Sequence, residues 1–419
     1  MRGFLSGLCL AIPPIVGLAG AAFPQQVLTW QQVKDKFESA NLSLLAGQIG
    51  IAESGAAEIT AHLRPNPNLS LTADQLNPFP GGPSHSTFGS VLSVASVSYL
   101  DERQRKRELR FESAREATGI ATSAQADLER AFLFNLRMAF VQVLQEKAML
   151  DLAQENLAYY DHVLDVNRDR DKVGAIAQVD LDRLELQRVL FESDLRTADV
   201  NLRTAKIQLL TFLNDRTPVE QFGVTGPFDF SAQIVPLDDV RKMALDMRSD
   251  LRAALQSADK AKTDHRLSIA NGSTDPTFGF DVGRNPPIDQ YIGFSVNIPL
   301  RIFDRNQGEK LRTQLDINRN EKMTEATRTQ VFRGVDSAYA AVTSSVLLLQ
   351  PYRDRYVRQA SRVRDTIALS YEHGAASFLD YLNAQADYRS VQNNYLSLVG
   401  SYLDAANQLN LAVGREVIP

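Results

Sequence analysis

The chain has 419 residues, 44% of them hydrophobic and 23% charged, a balance that excludes general disorder. A net charge of −5 and a pI near 5.7 leave no basic face, which sets nucleic acid aside as a partner.

Met1-Arg2 is followed by an apolar run from Gly3 to Leu18 and then by Ala19-Gly20-Ala21-Ala22. One basic residue, an apolar core and an A-x-A close predict a secretory signal peptide over residues 1–22, cut near Ala21 or Ala22. Leu8 before Cys9 does not suit a lipoprotein leader, and removing the leader leaves no cysteine, so neither disulfides nor thiolate chemistry is expected. No later apolar run reaches the about 18 residues a membrane helix needs, so a chain that spans a membrane must do so as a closed barrel.

After the leader, Thr29-x-x-Gln32 reads as a capping box opening a helix from Thr29 to about Leu63, stopped by Pro65. Helical periodicity returns from about Arg103 to Asn167 and from about Gln178 to Asn214. At 1.5 Å per residue the former reaches about 100 Å, too long for a globular domain. Ala and Leu fill its apolar positions, with Arg, Glu, Asp and Gln between, as in helices packed along their length with one wet face. A plain coiled coil without a channel satisfies that pattern equally well.

The helical code stops over Asp215–Pro236, a stretch of prolines, glycines and phenylalanines that reads as a linker. Helical pattern resumes from Leu237 to Leu267, from about Glu309 to Tyr371 with Pro351 inside, and from Ala376 to Val413. The order of the first half is thereby copied. Ala139-Phe140 answers to Ala338-Tyr339, Leu209 to Leu409, and the short break VGAIAQVDL at Val173 to HGAASFLDYL at His373, with Gly174 matched by Gly374 and Asp180 by Asp380. Two similar repeats are expected, residues 23–214 and 237–419, joined by residues 215–236.

Each repeat also carries a non-helical island, at residues 66–100 and 276–300. In the second, Phe278, Phe280 and Val282 alternate with Gly279, Asp281 and Gly283, and then Ile292, Phe294, Val296 and Ile298 alternate with Gly293, Ser295 and Asn297. Pro286-Pro287 and Asp289 are expected to make the turn. In the first, Leu69, Leu71 and Ala73 alternate with Ser70, Thr72 and Asp74; after the loop NPFPGGPSHS comes Phe88–Tyr99, whose phase slips near Ala95. Period-two alternation suits barrel strands with lipid on one side and water on the other. Four strands cannot close a barrel alone, so several copies are expected to share one.

Taken together, LTWQQVKDKFESANLSLLAGQ from Leu28, RPNPNLSL from Arg64, the two Gly-to-Asp breaks and IPLRIFDRNQGE from Ile298 resemble the TolC-like outer-membrane efflux factors over essentially the whole mature chain. The last stretch looks like the branch that includes CzcC and CusC, the metal-efflux outer-membrane components. The resemblance implies a mainly α fold with a small β part. A homotrimer would form a long periplasmic α-helical barrel and a twelve-strand barrel in outer-membrane lipid, with an equatorial belt at Asp215–Pro236. A periplasmic adaptor of the membrane-fusion type and an inner-membrane pump of the RND type would complete an efflux system for metal cations or small toxic compounds. Two other readings keep part of this picture: a type I secretion channel for proteins, and an exported periplasmic coiled-coil scaffold.

The resemblance further implies that the Gly-to-Asp breaks are hairpin turns at the periplasmic tip. Gly174 and Gly374 would make the turns, and Val173, Ala175, Ala177, Ala375 and Ser377 would meet the adaptor. Tyr371 matches a gate tyrosine, and Asp380, with Asp180 as its counterpart, matches an acidic ring in the pore. The chain departs from the family pattern at Asn383, where some members carry a second Asp, and at Ala376, where the best-known member has a gate arginine. Asp180 and Asp380 also suit the first turn of a helix for dipole reasons alone.

Enzymatic motifs are missing. His62, His85, His162, His265 and His373 are scattered, and no zinc spacing, P-loop or G-x-S-x-G occurs. No catalysis, cofactor or bound metal is expected, and the energy for transport must come from a partner.

Overall fold

A computed structural model describes residues 26–75, 91–285 and 288–418. The expected signal peptide, the loop NPFPGGPSHS, Phe88, His85 and Pro286-Pro287 lie outside the described residues. The chain begins with β1 (Gln26–Leu28), α1 (Trp30–Ala40), α2 (Leu42–His62), β2 (Asn68–Asp74) and β3 (Leu92–Leu100). The first long hairpin follows, α3 (Lys106–Lys172) and α4 (Gln178–Phe212), and then β4 (Phe222–Val224). The order then recurs as α5 (Leu237–Met247), α6 (Ser249–Asn271), β5 (Thr277–Asn285), β6 (Ile288–Asn297), α7 (Gln307–Pro351), α8 (Val357–Glu372) and α9 (Phe378–Val413).

The capping box is present: the Thr29 backbone N–H donates to Gln32 Oε1 at 2.9 Å, and the Gln32 N–H reaches Thr29 Oγ1. The helix it opens is not continuous to Leu63. Asn41 leaves the helical region, and its side chain accepts from the Leu44 N–H at 3.0 Å, capping a second helix. Arg248 breaks the matching helix of the second repeat, where Leu237–Leu267 reads as one segment; its guanidinium pairs with Asp250 and its Nη1 donates to the Ala412 carbonyl. A local side-chain partner thus ends each helix without proline or glycine.

Pro351, tolerated within the helical tract, is followed by a π-helical turn over Tyr352–Tyr356. Proline lacks the N–H and its ring crowds the carbonyl four residues back, so the ladder re-forms one residue wider.

Asp215–Pro236 is more ordered than a linker of irregular composition suggests. Its β4 pairs in parallel with β1, and Phe222, Val224 and Phe230 are buried in the cores around it.

The strands form one antiparallel sheet in the order β2-β3-β5-β6. Registers such as Leu71↔Ala95↔Val282↔Ile292 and Leu69↔Val97↔Phe280↔Phe294 place large apolar residues from all four strands on one face, while Leu92, Val94, Leu100 and Tyr291 fall on the other. Ser70, Ser96, Ser98, Gly279, Asp281, Ser295 and Asn297 share that other face. The phase slip near Ala95 is a slip of residue type only, since β3 pairs without a bulge from Leu92 to Leu100. β6 stops at Asn297 rather than Leu300, because Thr277, the first residue of β5, is the last partner it has. Asp289 belongs to β6, not to the turn.

Helices follow the same spatial order as the strands they adjoin: α2 packs on α3, α3 on α6, and α6 on α7. Farther from the sheet the order becomes α4, α3, α9, α8. Three cores hold this rod. One lies around Val335, Tyr402 and Leu409, one around Phe37, Phe140 and Leu209, and the third, around Tyr160, Leu184 and Tyr381, is shared by the ends of both hairpins.

Candidate functional site: the paired hairpin ends

Both hairpins turn by the same device. At the end of α3 the Gly174 N–H bonds to the Asp171 carbonyl and the Ala175 N–H to the Arg170 carbonyl; at the end of α8 the Gly374 N–H bonds to Tyr371 and the Ala375 N–H to Ser370. These are Schellman caps, which need a left-handed residue, and Gly174 and Gly374 supply it with φ of +70° and +75°. Val173, Gly174, Ala175, Ala177, Gly374, Ala375 and Ser377 are exposed, whereas Ile176 and Ala376 turn inward onto the shared core.

The two aspartates differ. Ser377 Oγ accepts from the Asp380 N–H at 3.1 Å, and the Asp380 carboxylate accepts from the Ser377 hydroxyl at 2.7 Å and from its N–H at 3.2 Å. Those hydrogen bonds, the hydroxyl's first, hold the exposed Asp380 carboxyl below the usual range. Asp180 follows Ala177, which cannot cap, and meets Arg183 at 3.7 Å instead. Asp380 is therefore both a helix cap and a free anionic surface, while Asp180 is half-buried and partly neutralised.

Tyr371 is buried at the junction of the hairpins. Its hydroxyl donates to Asn167 Oδ1 at 3.3 Å, its ring stacks on Tyr381 with centroids 5.1 Å apart, and the Arg170 guanidinium lies 5.5 Å from its centroid. Burial raises its pKa, against the opposing pull of Arg170. Asn167 and Arg170 belong to the first repeat and Tyr371 to the second, so this contact fastens one hairpin to the other. Two more cross-repeat contacts lie along the rod. Arg364 sits between the rings of Tyr159 and Tyr388, at 4.7 and 4.0 Å, and Arg389 pairs with Asp194 at 2.9 Å while lying over Phe191. Arg170 Nη1, Tyr381 Oη and Gln385 Nε2 are buried without a partner.

Asn167, Arg170 and Arg364 were not among the residues expected from sequence. Their signal is divergence between the repeats: Arg168-Asp169-Arg170-Asp171 stands where the second repeat has Ala368-Leu369-Ser370-Tyr371. A duplicated segment that changes from charged to aromatic marks a heterotypic contact.

Among the described residues, no group of three or more His, Cys, Asp or Glu is placed to hold a metal ion. No described helix is long and apolar enough to cross a membrane.

Residues 240–415 match the family model for the outer membrane efflux protein. Those residues, most of the second repeat, carry that family's domain. It is a family of efflux channels, not of enzymes. The fold of the whole described chain agrees. The structure of CusC, a protein described as forming a transmembrane channel, superposes with a TM-score of 0.77 at 16% identity, covering 92% of each chain. The MtrE outer membrane channel of Neisseria gonorrhoeae, in its open state, gives 0.74 at 17% identity, over 93% of this chain and 89% of that one. The outer membrane protein VceC of Vibrio cholerae gives 0.73 at 13%, over 93% and 97%. No curated protein sequence matches this chain.

Proposed function

We propose that this efflux protein is one third of a passive, gated export duct, a homotrimer that crosses the outer membrane and extends into the periplasm. The observation that carries this reading is the four-stranded sheet. Both its edges, β2 and β6, are unpaired among the described residues, and its apolar face is open, with Leu71 74% and Phe294 83% exposed. A bare apolar face with two free edges is unstable in water; pairing β2 of one copy with β6 of the next satisfies the backbone, and lipid covers the face.

The helices support the same closure. Along α2, Leu42, Leu45, Ile49, Ala52, Ala56, Ile59 and Leu63 recur at alternating steps of three and four, and all are exposed. That heptad seam sits on the edge helix of the protomer, and α7, with exposed Leu311 and Leu315, forms the opposite edge. Edge strands and edge helices therefore close in the same sense around one axis.

In this reading Tyr371, Asp380 and Asp180 form the constriction at the hairpin ends, and the exposed small residues at Val173–Ala177 and Gly374–Ser377 receive a periplasmic adaptor. An inner-membrane pump of the RND type supplies the energy, and the cargo is metal cations or small toxic compounds. The decisive experiment is fractionation of expressing cells, followed by the mass of the purified chain in mild detergent. A trimer from the outer-membrane fraction is expected; a soluble periplasmic species overturns the duct.

A further inference from the structure

The passage from β6 to α7 carries a second membrane contact, which rests on the lipid-facing reading of the sheet. Ile292, Phe294 and Val296 lie on the apolar face, and the series does not end where the ladder ends at Asn297. Ile298 and Leu300 continue it, flanking Pro299. The Ile302 N–H then bonds to the Leu300 carbonyl at 3.0 Å, a tight turn that presents Ile302 and Phe303 outward, with Phe303 91% exposed. No other element of the described chain covers these four side chains.

Arg301 and Arg305 are interleaved with them. Among the described residues neither guanidinium meets a carboxylate: Arg301 Nε is buried without any partner, and Arg305 Nε reaches only the Arg301 carbonyl at 3.3 Å. The nearby acids are engaged elsewhere, Asp304 with the Asn306 N–H at 2.8 Å and Glu309 with Arg312 at 2.6 Å. An apolar wedge bearing two unneutralised guanidinium groups, at the rim of an apolar sheet face, matches one environment: the interface of a bilayer, where acyl chains and phosphates lie a few ångströms apart.

We propose that Pro299–Arg305 is an interfacial anchor. Leu300, Ile302 and Phe303 enter the acyl boundary of the periplasmic leaflet, and Arg301 and Arg305 hold the phosphates of anionic phospholipids by charge-assisted, two-pronged hydrogen bonds. Three copies in a ring make the contact multivalent.

Native mass spectrometry of the full-length protein in detergent, titrated with phosphatidylglycerol or phosphatidylcholine, tests the anchor. Phosphatidylglycerol is expected to be retained about thirtyfold more than phosphatidylcholine, as two basic groups at about 1 kcal/mol each imply. The R301Q/R305Q variant is expected to lose that preference, and R301K/R305K, which keeps the charges but not the two-pronged geometry, to keep only part of it. Equal retention of the two lipids, or an unchanged preference in R301Q/R305Q, overturns the proposal. Displacement of the lipid by excess inorganic phosphate also overturns it, because it would mean a site for free anions. A chain that still fractionates with the outer membrane as a trimer but shows no lipid preference defeats the anchor alone; one that does not fractionate there defeats the duct.

Discussion

Single residues at the hairpin ends carry separable roles. Gly374 has open space around its Cα, so a methyl group there meets no neighbour; the strain comes only from its φ of +75°. Gly374→Ala is expected to cost about 1 kcal/mol, appearing as faster hydrogen exchange in residues around the turn and not in the rest of the rod. Asp380→Asn keeps an oxygen for the cap but removes the charge, so cation selectivity in bilayer recordings is expected to fall while thermal stability changes little; unchanged selectivity would remove Asp380 from the constriction. Away from the hairpin ends, Asp404 on α9 pairs with no cation among the described residues, and burial pushes its carboxyl up to about 6. The folded state therefore holds its proton more tightly than the unfolded chain. Below the unfolded pKa the group is neutral in both states and costs nothing; as pH rises through about 6 the penalty appears in full. Asp404→Asn is expected to raise the melting temperature at pH above that value and to leave it unchanged in acid, as thermal scans at two pH values will show.

At the scale of elements, what was readable in the sequence depended on how local the cause was. Alternation in Phe278–Val282 and Ile292–Asn297, the Thr29 capping box and the two turn glycines all announce themselves within a few residues, and the structure bears them out. The breaks at Asn41 and Arg248 did not, because an asparagine or arginine inside a helical pattern is ordinary until its side chain finds a local partner. The β1–β4 pair was hidden for a different reason: three-residue strands are too short to show a period, and their partners lie almost two hundred positions apart. The hairpin turns were legible, whereas the clasp between hairpins was not, since Tyr371 and Asn167 meet only through packing. That clasp joins the two hairpins next to the proposed constriction. Tyr371→Phe removes its hydrogen bond and Asn167→Ala leaves the hydroxyl unpaired, so both variants are expected to increase the open fraction in single-channel recordings, Asn167→Ala more strongly. A conductance trace identical to the unmodified protein would show that the hairpins are held by the arginine–tyrosine contacts alone.

At the scale of the whole molecule, the protomer is a wall segment of the proposed duct. Its hairpin-end core runs between the repeats, its polar sheet face carries Asp281, Ser295 and Asn297, and its apolar sheet face has no cover among the described residues. Phe294→Arg would set a cation at the middle of that apolar face, at a cost of about 2–4 kcal/mol per copy in the bilayer. The variant is expected to accumulate outside the outer-membrane fraction while its helical rod stays folded by circular dichroism; normal insertion would place lipid on the other face. Much of this was available from residue order alone, because a duplicated pattern constrains each half by the other. The exception was the closing geometry, which depends on which edges remain free.

Those free edges also constrain the pathway by which the duct can be made. One protomer has two of them, and two protomers joined side by side still have two. Joining two protomers pairs one edge of each and leaves two free, whereas adding the third pairs all four that remain at once, so the closing step relieves the most and partial assemblies should be scarce. Until the ring closes, each free edge stays open to pairing with the wrong strand.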